Sequence, residues 1–247
     1  MPRPSTRYGD DLAFVHHAGF GEHAQRAGTA LLRRLRRAGI LGGTLVDLGC
    51  GSGIWARMAS EAGFDFVRVD ASPAMIRLAR RVAPRARFVR ASLHEFELPF
   101  CEAVTILGEG LNYLAPRGER ARPSSVLFHR AVRALRRGGL IAFDALVDGT
   151  EPLDARSWRT GPDWAVLVDT REHPARRLVE RRITSFRRIG RRYRRCEELH
   201  RVRVLERDRL VLELEAAGFD VTTAARYGDF ALLPRRLAFF GRCVRGR

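Results

Sequence analysis

The residues of this 247-residue chain best suited to chemistry lie in LVDLGCGSG, residues 45 to 53, where an apolar run stops at the carboxylate of Asp47 and then at alternating glycines. Leu45, Val46 and Leu48 read as the end of a buried parallel strand; Gly49, Gly51 and Gly53 read as a tight turn opening a helix over 54–62. Bare glycines let a molecule lie directly on the peptide groups, and the free N–H groups of the helix's first turn face it. The spacing narrows the ligand. A dinucleotide fingerprint needs a third glycine at the sixth position from Gly49, where Ile54 stands, and a phosphate loop needs a Lys-Ser or Lys-Thr that is absent. A second acid, Asp70, ends the run FDFVRVD 21 residues after Gly49. That is the offset at which an acid at the tip of a second strand accepts hydrogen bonds from ribose hydroxyls in doubly wound folds.

The order D-x-G-x-G-x-G, then Asp70, then L-R-R-G-G-L-I-A-F-D at 135–144 resembles the class I S-adenosylmethionine-dependent methyltransferases, with Arg137 where the family usually has proline. The motifs cover about residues 40 to 147. The resemblance implies S-adenosylmethionine as cofactor, with Asp47, Gly49, Cys50, Gly51 and Gly53 at the turn, Asp70 and Ala71 at the second strand tip, and Leu107 and Gly108 at the fourth. Where the family often holds the adenine amino group with an acid, this chain has Ser92 and Leu93; a backbone amide and a hydroxyl can still receive the base there. The fourth tip, GEGLNYL, has neither the Asp/Asn-Pro-Pro-aromatic tetrad of nucleic-acid amino methyltransferases nor the Pro-Cys of RNA cytosine-carbon enzymes. It looks instead like the small-molecule enzymes, whose acceptor is a nitrogen or oxygen. Glu109 could attract a cationic amine or accept a proton, and equally could be a loop carboxylate turned to solvent. His16 and His17 are the other candidate bases, while Tyr8 and Phe20 join them as candidates for lining the pocket.

The elements that must position these residues follow from periodicity. Leu12, Phe14, Val15 and Phe20 suggest a short helix, Gly19 and Gly21 a break, and Leu31, Leu32 and Leu35 a second helix over 22–37. Ser72 caps a helix with Pro73 at its first position. Strands are expected at 64–70, 87–90, 103–107 and 140–147, with a helix over 124–137 ended by Gly138 and Gly139. Residues 151–205 turn to short β-rich runs, which read as an antiparallel insertion after the fifth strand. A helix over 208–217 and two strands close the chain. The expected fold is a doubly wound, mostly parallel seven-stranded α/β sheet in a single domain: an N-terminal helical lid (1–40), a cofactor-binding core (41–150), the β insertion as substrate cover (151–205), and C-terminal elements of the core (206–247).

Composition bounds the rest. The four cysteines are scattered and form no metal-ligand or disulfide pattern, so no metal site is expected. With no apolar leader at the N-terminus and no apolar run of membrane-spanning length, the expectation is a cytoplasmic protein without a membrane partner. The net charge is +17 and every basic residue is arginine, a pattern that coding bias explains as well as phosphate binding does. Between Arg171 and Arg209 fifteen arginines face six acids, which suits a solvated face, a partner surface or the rim of a site for an anionic acceptor. Two other functions stay open: an RNA methyltransferase gripping phosphates through this insertion, and a non-catalytic protein that binds an adenosyl ligand. If the insertion is a cover, Trp164, Val166, Val168, Ile183 and Phe186 should face inward.

Overall fold

The computed structural model describes residues 8–84, 86–114 and 123–244, so the first seven residues of the expected lid lie outside it. In chain order the elements are α1 (Asp10–Arg37), β1 (Gly43–Leu48), α2 (Ile54–Glu61), β2 (Phe64–Asp70), α3 (Pro73–Val82), β3 (Arg87–Arg90), β4 (Cys101–Ile106), α4 (Ser124–Ala134) and β5 (Leu135–Leu146). Four strands follow, β6 (Ala155–Gly161), β7 (Trp164–His173), β8 (Leu178–Ile189) and β9 (Arg192–Arg203). The chain then forms α5 (Arg207–Ala217), β10 (Phe219–Ala224), the short pair β11 (Arg226–Tyr227) and β12 (Phe230–Ala231), and β13 (Arg236–Cys243).

The main sheet has seven strands in the order β10-β13-β5-β4-β1-β2-β3, with the five from β5 to β3 parallel and β13 antiparallel to both its neighbours. Strand alternation divides its side chains between two layers. Val46 and Leu48 of β1 join the core under α4 and α5, while Leu45 joins the one under α1 and α2. Two acids break otherwise apolar strands: Asp47 in β1 and Asp144 in β5, both buried. The expected β insertion is a separate antiparallel sheet, β6-β7-β8-β9.

Three sequence expectations are corrected. The α1 region is one continuous helix and not two, because its glycines are places of close approach: a Cβ at Gly19 would enter the Trp164 ring, one at Gly21 would meet Ile54, and one at Gly28 would meet Trp55. Large neighbours fill the space those side chains would need. The helix over 124–137 ends at Ala134, and Arg136 to Gly139 form a bulge within β5, since the pairing with β4 jumps from Cys101↔Leu135 to Ala103↔Leu140. Gly139 is required there because a Cβ would lie 2.9 Å from the carbonyls of both Arg136 and Glu102. In the insertion, Trp164, Val166 and Ile183 are buried against Leu12 and Val15 of α1, with half-buried Val168 beside them. Phe186 is on the other face, because Ser185 takes the inward parity opposite Val166.

The insertion is tied to the core by buried polar groups as well as by packing. Asn112 donates to the carbonyls of Leu146 and Arg203, both at 2.7 Å, and accepts from the Leu146 amide at 3.1 Å. It thereby joins the ends of β5 and β9 to the connection after β4. Replacing Asn112 by alanine strands three buried backbone groups at about 1–3 kcal/mol each when no water reaches them. Urea unfolding of Asn112→Ala is expected to show a loss of ~3 kcal/mol; a loss below ~0.5 kcal/mol would mean that this side chain is not a structural tie.

Candidate active site

The glycine turn is built as a cradle. Gly49, Gly51 and Gly53 all have positive φ (80°, 53° and 80°), a region closed to most side chains. The three do different work. A Cβ on Gly53, which caps α2, would press on Ala79 of α3 at 3.1 Å, so this glycine serves packing. Among the described residues, a Cβ on Gly49 or Gly51 would meet nothing within 4 Å, so their bare faces are open there. The Gly49 and Cys50 amides donate to the Val69 carbonyl (2.7 and 3.0 Å), which locks the turn to β2. Cys50 itself is buried, and its thiol is pushed well above the ordinary range by burial and then by Asp70 and Asp47.

Asp70 stands at the tip of β2 with Oδ2 accepting from the Gly51 amide (2.9 Å) and Oδ1 from the Ser72 amide (2.7 Å). These bonds hold the carboxylate at the edge of the cradle. Ser72 caps α3 by accepting from the Met75 amide, and its hydroxyl donates to the carbonyl of Tyr8 (2.8 Å), laying the N-terminal segment across this corner. Half-buried Ala71 follows Asp70, and the Ala91 amide donates to the Asp70 carbonyl (3.2 Å), bringing half-buried Ser92 and Leu93 to the same edge.

Asp47 lies behind the turn. Its Oδ1 accepts from the Thr105 hydroxyl (2.7 Å), which accepts in turn from the Trp55 indole (3.0 Å). Burial raises its pKa to about 7 against the pull of Thr105 and Arg68.

On the opposite wall, Leu107 is half-buried and exposed Gly108 leads into Glu109, which adopts φ 63°. Asp144 imposes this shape: its carboxylate accepts from the amides of Gly108 (3.0 Å) and Glu109 (3.1 Å), from His23 Nε2 (3.3 Å) and from the Tyr227 hydroxyl (3.1 Å). Burial alone would raise the Asp144 pKa, but the hydrogen bonds from His23, Gly108 and Glu109 outweigh it and hold the group below its usual range. Glu109 is not a solvent-facing loop carboxylate. It is buried, with Oε2 2.7 Å from Arg181 of the insertion and Oε1 shared between Arg181 and Arg236 of β13. With both oxygens on guanidinium groups, it is spoken for as an ion-pair anchor.

The two histidine candidates diverge. His17 Nδ1 meets the hydroxyl of Ser52 in the glycine turn (3.0 Å), so α1 closes on the cradle there. Burial and then Arg57 lower its pKa. His16 packs edge-on to Tyr8 and stacks on Phe20, and its buried Nδ1 has no hydrogen-bond partner among the described residues. Burial, followed by His23, His200 and His17, lowers its pKa to about 4, so this ring is neutral near pH 7. Among the described residues no group of three or more metal-binding side chains converges, and no helix is long and apolar enough to cross a membrane.

Residues 45–139 match the family model described as a methyltransferase domain. A Geobacillus sp. (strain WCH70) protein named as a methyltransferase is 29% identical over 192 residues, which span 72% of this chain and 74% of that protein. Among solved structures, the chain is similar to an S-adenosylmethionine-dependent methyltransferase from Clostridium acetobutylicum ATCC 824 (TM-score 0.77, 14% identity, 96% and 98% of the two chains covered). It is also similar to a sugar N-methyltransferase from Streptoalloteichus sp. ATCC 53650 (TM-score 0.73, 23% identity, 98% of each chain). A third is an amino pentose methyltransferase from Micromonospora echinaspora (TM-score 0.71, 19% identity, 97% and 99%). At these identities the likeness is one of fold, the Rossmann-like methyltransferase fold with an added antiparallel sheet.

Several residues around the glycine turn, the fourth strand's tip and the insertion carry no role in the sequence analysis: Asp144, His23, Tyr227, Arg181, Arg236, His200 and Glu198. Asp144 had a signal of the same kind as Asp47, an acid closing an apolar strand. Glu198 and His200 had one too, since they share the inward parity of β9 with Val202.

The elevated Asp47 gives a pH test. Its folded value is above its ordinary 3.8, so the native state binds the extra proton, and stability is lost as pH rises from about 4 to about 7. Asp47→Asn removes the buried charge while keeping an acceptor for Thr105. Thermal unfolding should find the variant more stable than the parent by at least ~1 kcal/mol at pH 8, or about 2–4 °C, with the gap closing towards pH 4. A gap that does not depend on pH would refute the raised value.

Proposed function

We propose that the protein transfers a methyl group from S-adenosylmethionine to a nitrogen or oxygen of a small molecule, and that an amine nitrogen on a sugar is the first acceptor to test. The observation that carries the cofactor reading is the cradle: two positive-φ glycines whose missing Cβ atoms face open space, directly beside a carboxylate that the Gly51 amide itself orients. A thioether chain can lie on Gly49 to Gly51 and a ribose can donate to Asp70. Ala71, Ser92 and Leu93 border the adenine end, and Asp47, Cys50, Leu107 and Gly108 the methionine end. The amino-sugar suggestion comes from the sugar N-methyltransferase and the amino pentose methyltransferase of the same fold.

S-adenosylmethionine supplies an electrophilic methyl on a sulfonium sulfur, so the protein's main task is to hold an acceptor in line with it. Effective molarities in well-oriented models reach about 10⁵ M or more. The walls present for that task are α1, the Gly108–Tyr113 connection and the inner face of the insertion. Ion pairs through Glu109 and hydrogen bonds through Asn112 tie these walls to one another.

The RNA reading is disfavoured by what the arginines do. Of the fifteen between Arg171 and Arg209, ten lie within 4.0 Å of a carboxylate, including Arg181 on Glu109 and the pair Arg187 and Arg194 on Asp11. Charges already neutralised within the protein release few counterions on a phosphate backbone.

Calorimetry tests the cofactor site. Asp70→Ala is expected to weaken S-adenosylmethionine binding by about 1.5–3 kcal/mol, the range for hydrogen bonds to a charged group. Gly51→Val should abolish binding in a folded domain, because the added methyls occupy the cradle and valine resists positive φ. A folded Gly51→Val protein with normal affinity would leave the turn a purely structural feature. Methyl transfer from labelled S-adenosylmethionine to a panel of amino sugars then reads the acceptor class, and turnover on RNA alone would reverse the assignment.

A further inference from the structure

Behind the proposed acceptor space lies a buried chain of groups that the reading above does not use. The Tyr8 and Tyr113 hydroxyls are 3.3 Å apart, Tyr113 is 3.3 Å from His200 Nδ1, and His200 Nε2 is 2.9 Å from Glu198 Oε2. The other oxygen of Glu198 accepts from the Gly9 amide at 2.8 Å. His200 and Glu198 are each about 1% exposed in their side chains. The members come from three separated parts of the chain: the segment before α1, the connection after β4, and β9.

The donor and acceptor inventory gives the chain a direction. A carboxylate only accepts, so His200 Nε2 must carry a proton. In the neutral ring Nδ1 is then bare and must accept from Tyr113, which leaves the Tyr113 oxygen to accept from Tyr8 or from a third group. We propose that His200, oriented by Glu198, is the proton sink for the methyl acceptor, reached through the Tyr113 hydroxyl. This rests on the methyl-transfer reading.

The step balances within these groups. The acceptor's N–H or O–H proton passes to the Tyr113 oxygen as the Tyr113 proton passes to His200 Nδ1, giving an imidazolium facing Glu198. The electron pair left on the acceptor forms the bond to the methyl carbon, and the carbon–sulfur pair goes to sulfur. Chiefly through burial, both phenols are pushed above their usual range, so each keeps a proton to relay. The charged and titratable groups facing His200 are Tyr8 from the N-terminal segment, His16 from α1, Tyr113, its cross-strand neighbour Arg181 on β8, and Glu198 on its own strand. Arg181 is held by Glu109, which gives that buried pair a second role as the electrostatic floor of the relay. His200 touches the acceptor only through Tyr113 and is a positioning residue in that sense.

Nitrogen NMR of the imidazole rings tests this on the purified protein without any acceptor. The expected result is a His200 ring that carries its proton on Nε2 and leaves Nδ1 bare to accept from Tyr113. In Glu198→Leu the preference for the Nε2 proton should be lost, because the acceptor that fixes the tautomer is gone. His200→Gln assigns the signal; if that variant does not fold, Tyr113→Phe assigns it through the ring it perturbs. A proton on Nδ1, or a ring cationic throughout about pH 6 to 9, overturns the relay, because such a ring cannot accept from Tyr113. S-adenosylmethionine calorimetry on the same sample separates the failures. Absent binding brings down the methyl-transfer reading, whereas intact binding with the wrong tautomer brings down the relay alone.

Discussion

The carboxylate of Asp144 is the point on which the fourth strand's tip and the insertion above it depend. Fully buried at the end of β5, it gathers two amides from the Gly108–Glu109 turn, the imidazole of His23 on α1 and the phenol of Tyr227 near the C-terminus. A buried anion is costly unless its lone pairs are satisfied, and here four donors satisfy them. The same bonds hold Glu109 in a left-handed conformation that a non-glycine residue adopts only under constraint. One side chain thus sets the direction in which the fourth strand's tip leaves the sheet, and with it the position of Glu109, Asn112 and Tyr113.

The insertion then closes on that tip through a sequence of dependent contacts. Glu109 is buried against both Arg181 and Arg236, and removing both cations would leave its charge unpaired in the interior. Asp11 performs the complementary task at the start of α1, where Arg194 grips both its oxygens at 2.6 Å and Arg187 adds a longer contact. Within the arginine-rich stretch, Arg181, Arg187 and Arg194 thus act as clamps between the insertion and the rest of the chain.

What could be read from the sequence and what could not divide along a physical line. Local rules located the glycine turn, Asp70, the Ser72 cap and the antiparallel insertion, because a strand that stops at glycines or a serine followed by proline determines its structure within a few residues. Gly19 and Gly21 misled for the converse reason. A glycine that makes room for the Trp164 ring has the same letter as one that breaks a helix, and only the tertiary partner distinguishes them. Glu109 and His200 were opaque in the same way: their partners lie 72 and 87 residues away in sequence, so nothing nearby announces the pairing. Bulge geometry at Gly138 and Gly139 belongs with these, since it is set by the carbonyl of Glu102 on the neighbouring strand.

The glycines of α1 also determine how that helix can be placed. At Gly19, Gly21 and Gly28 it is notched, and Trp164, Ile54 and Trp55, from the insertion and from α2, sit in the notches like pawls against a ratchet bar. Advancing the helix by a single residue, a rise of about 1.5 Å with a rotation of about 100°, would drive Ala18 or Phe20 into the space of the Trp164 ring. Sliding and twisting are thereby blocked, and the only soft direction left is outward, away from the sheet. Three histidines ride on this bar, and its indexing delivers His16 to Tyr8, His17 to Ser52 and His23 to Asp144 as one mechanical setting.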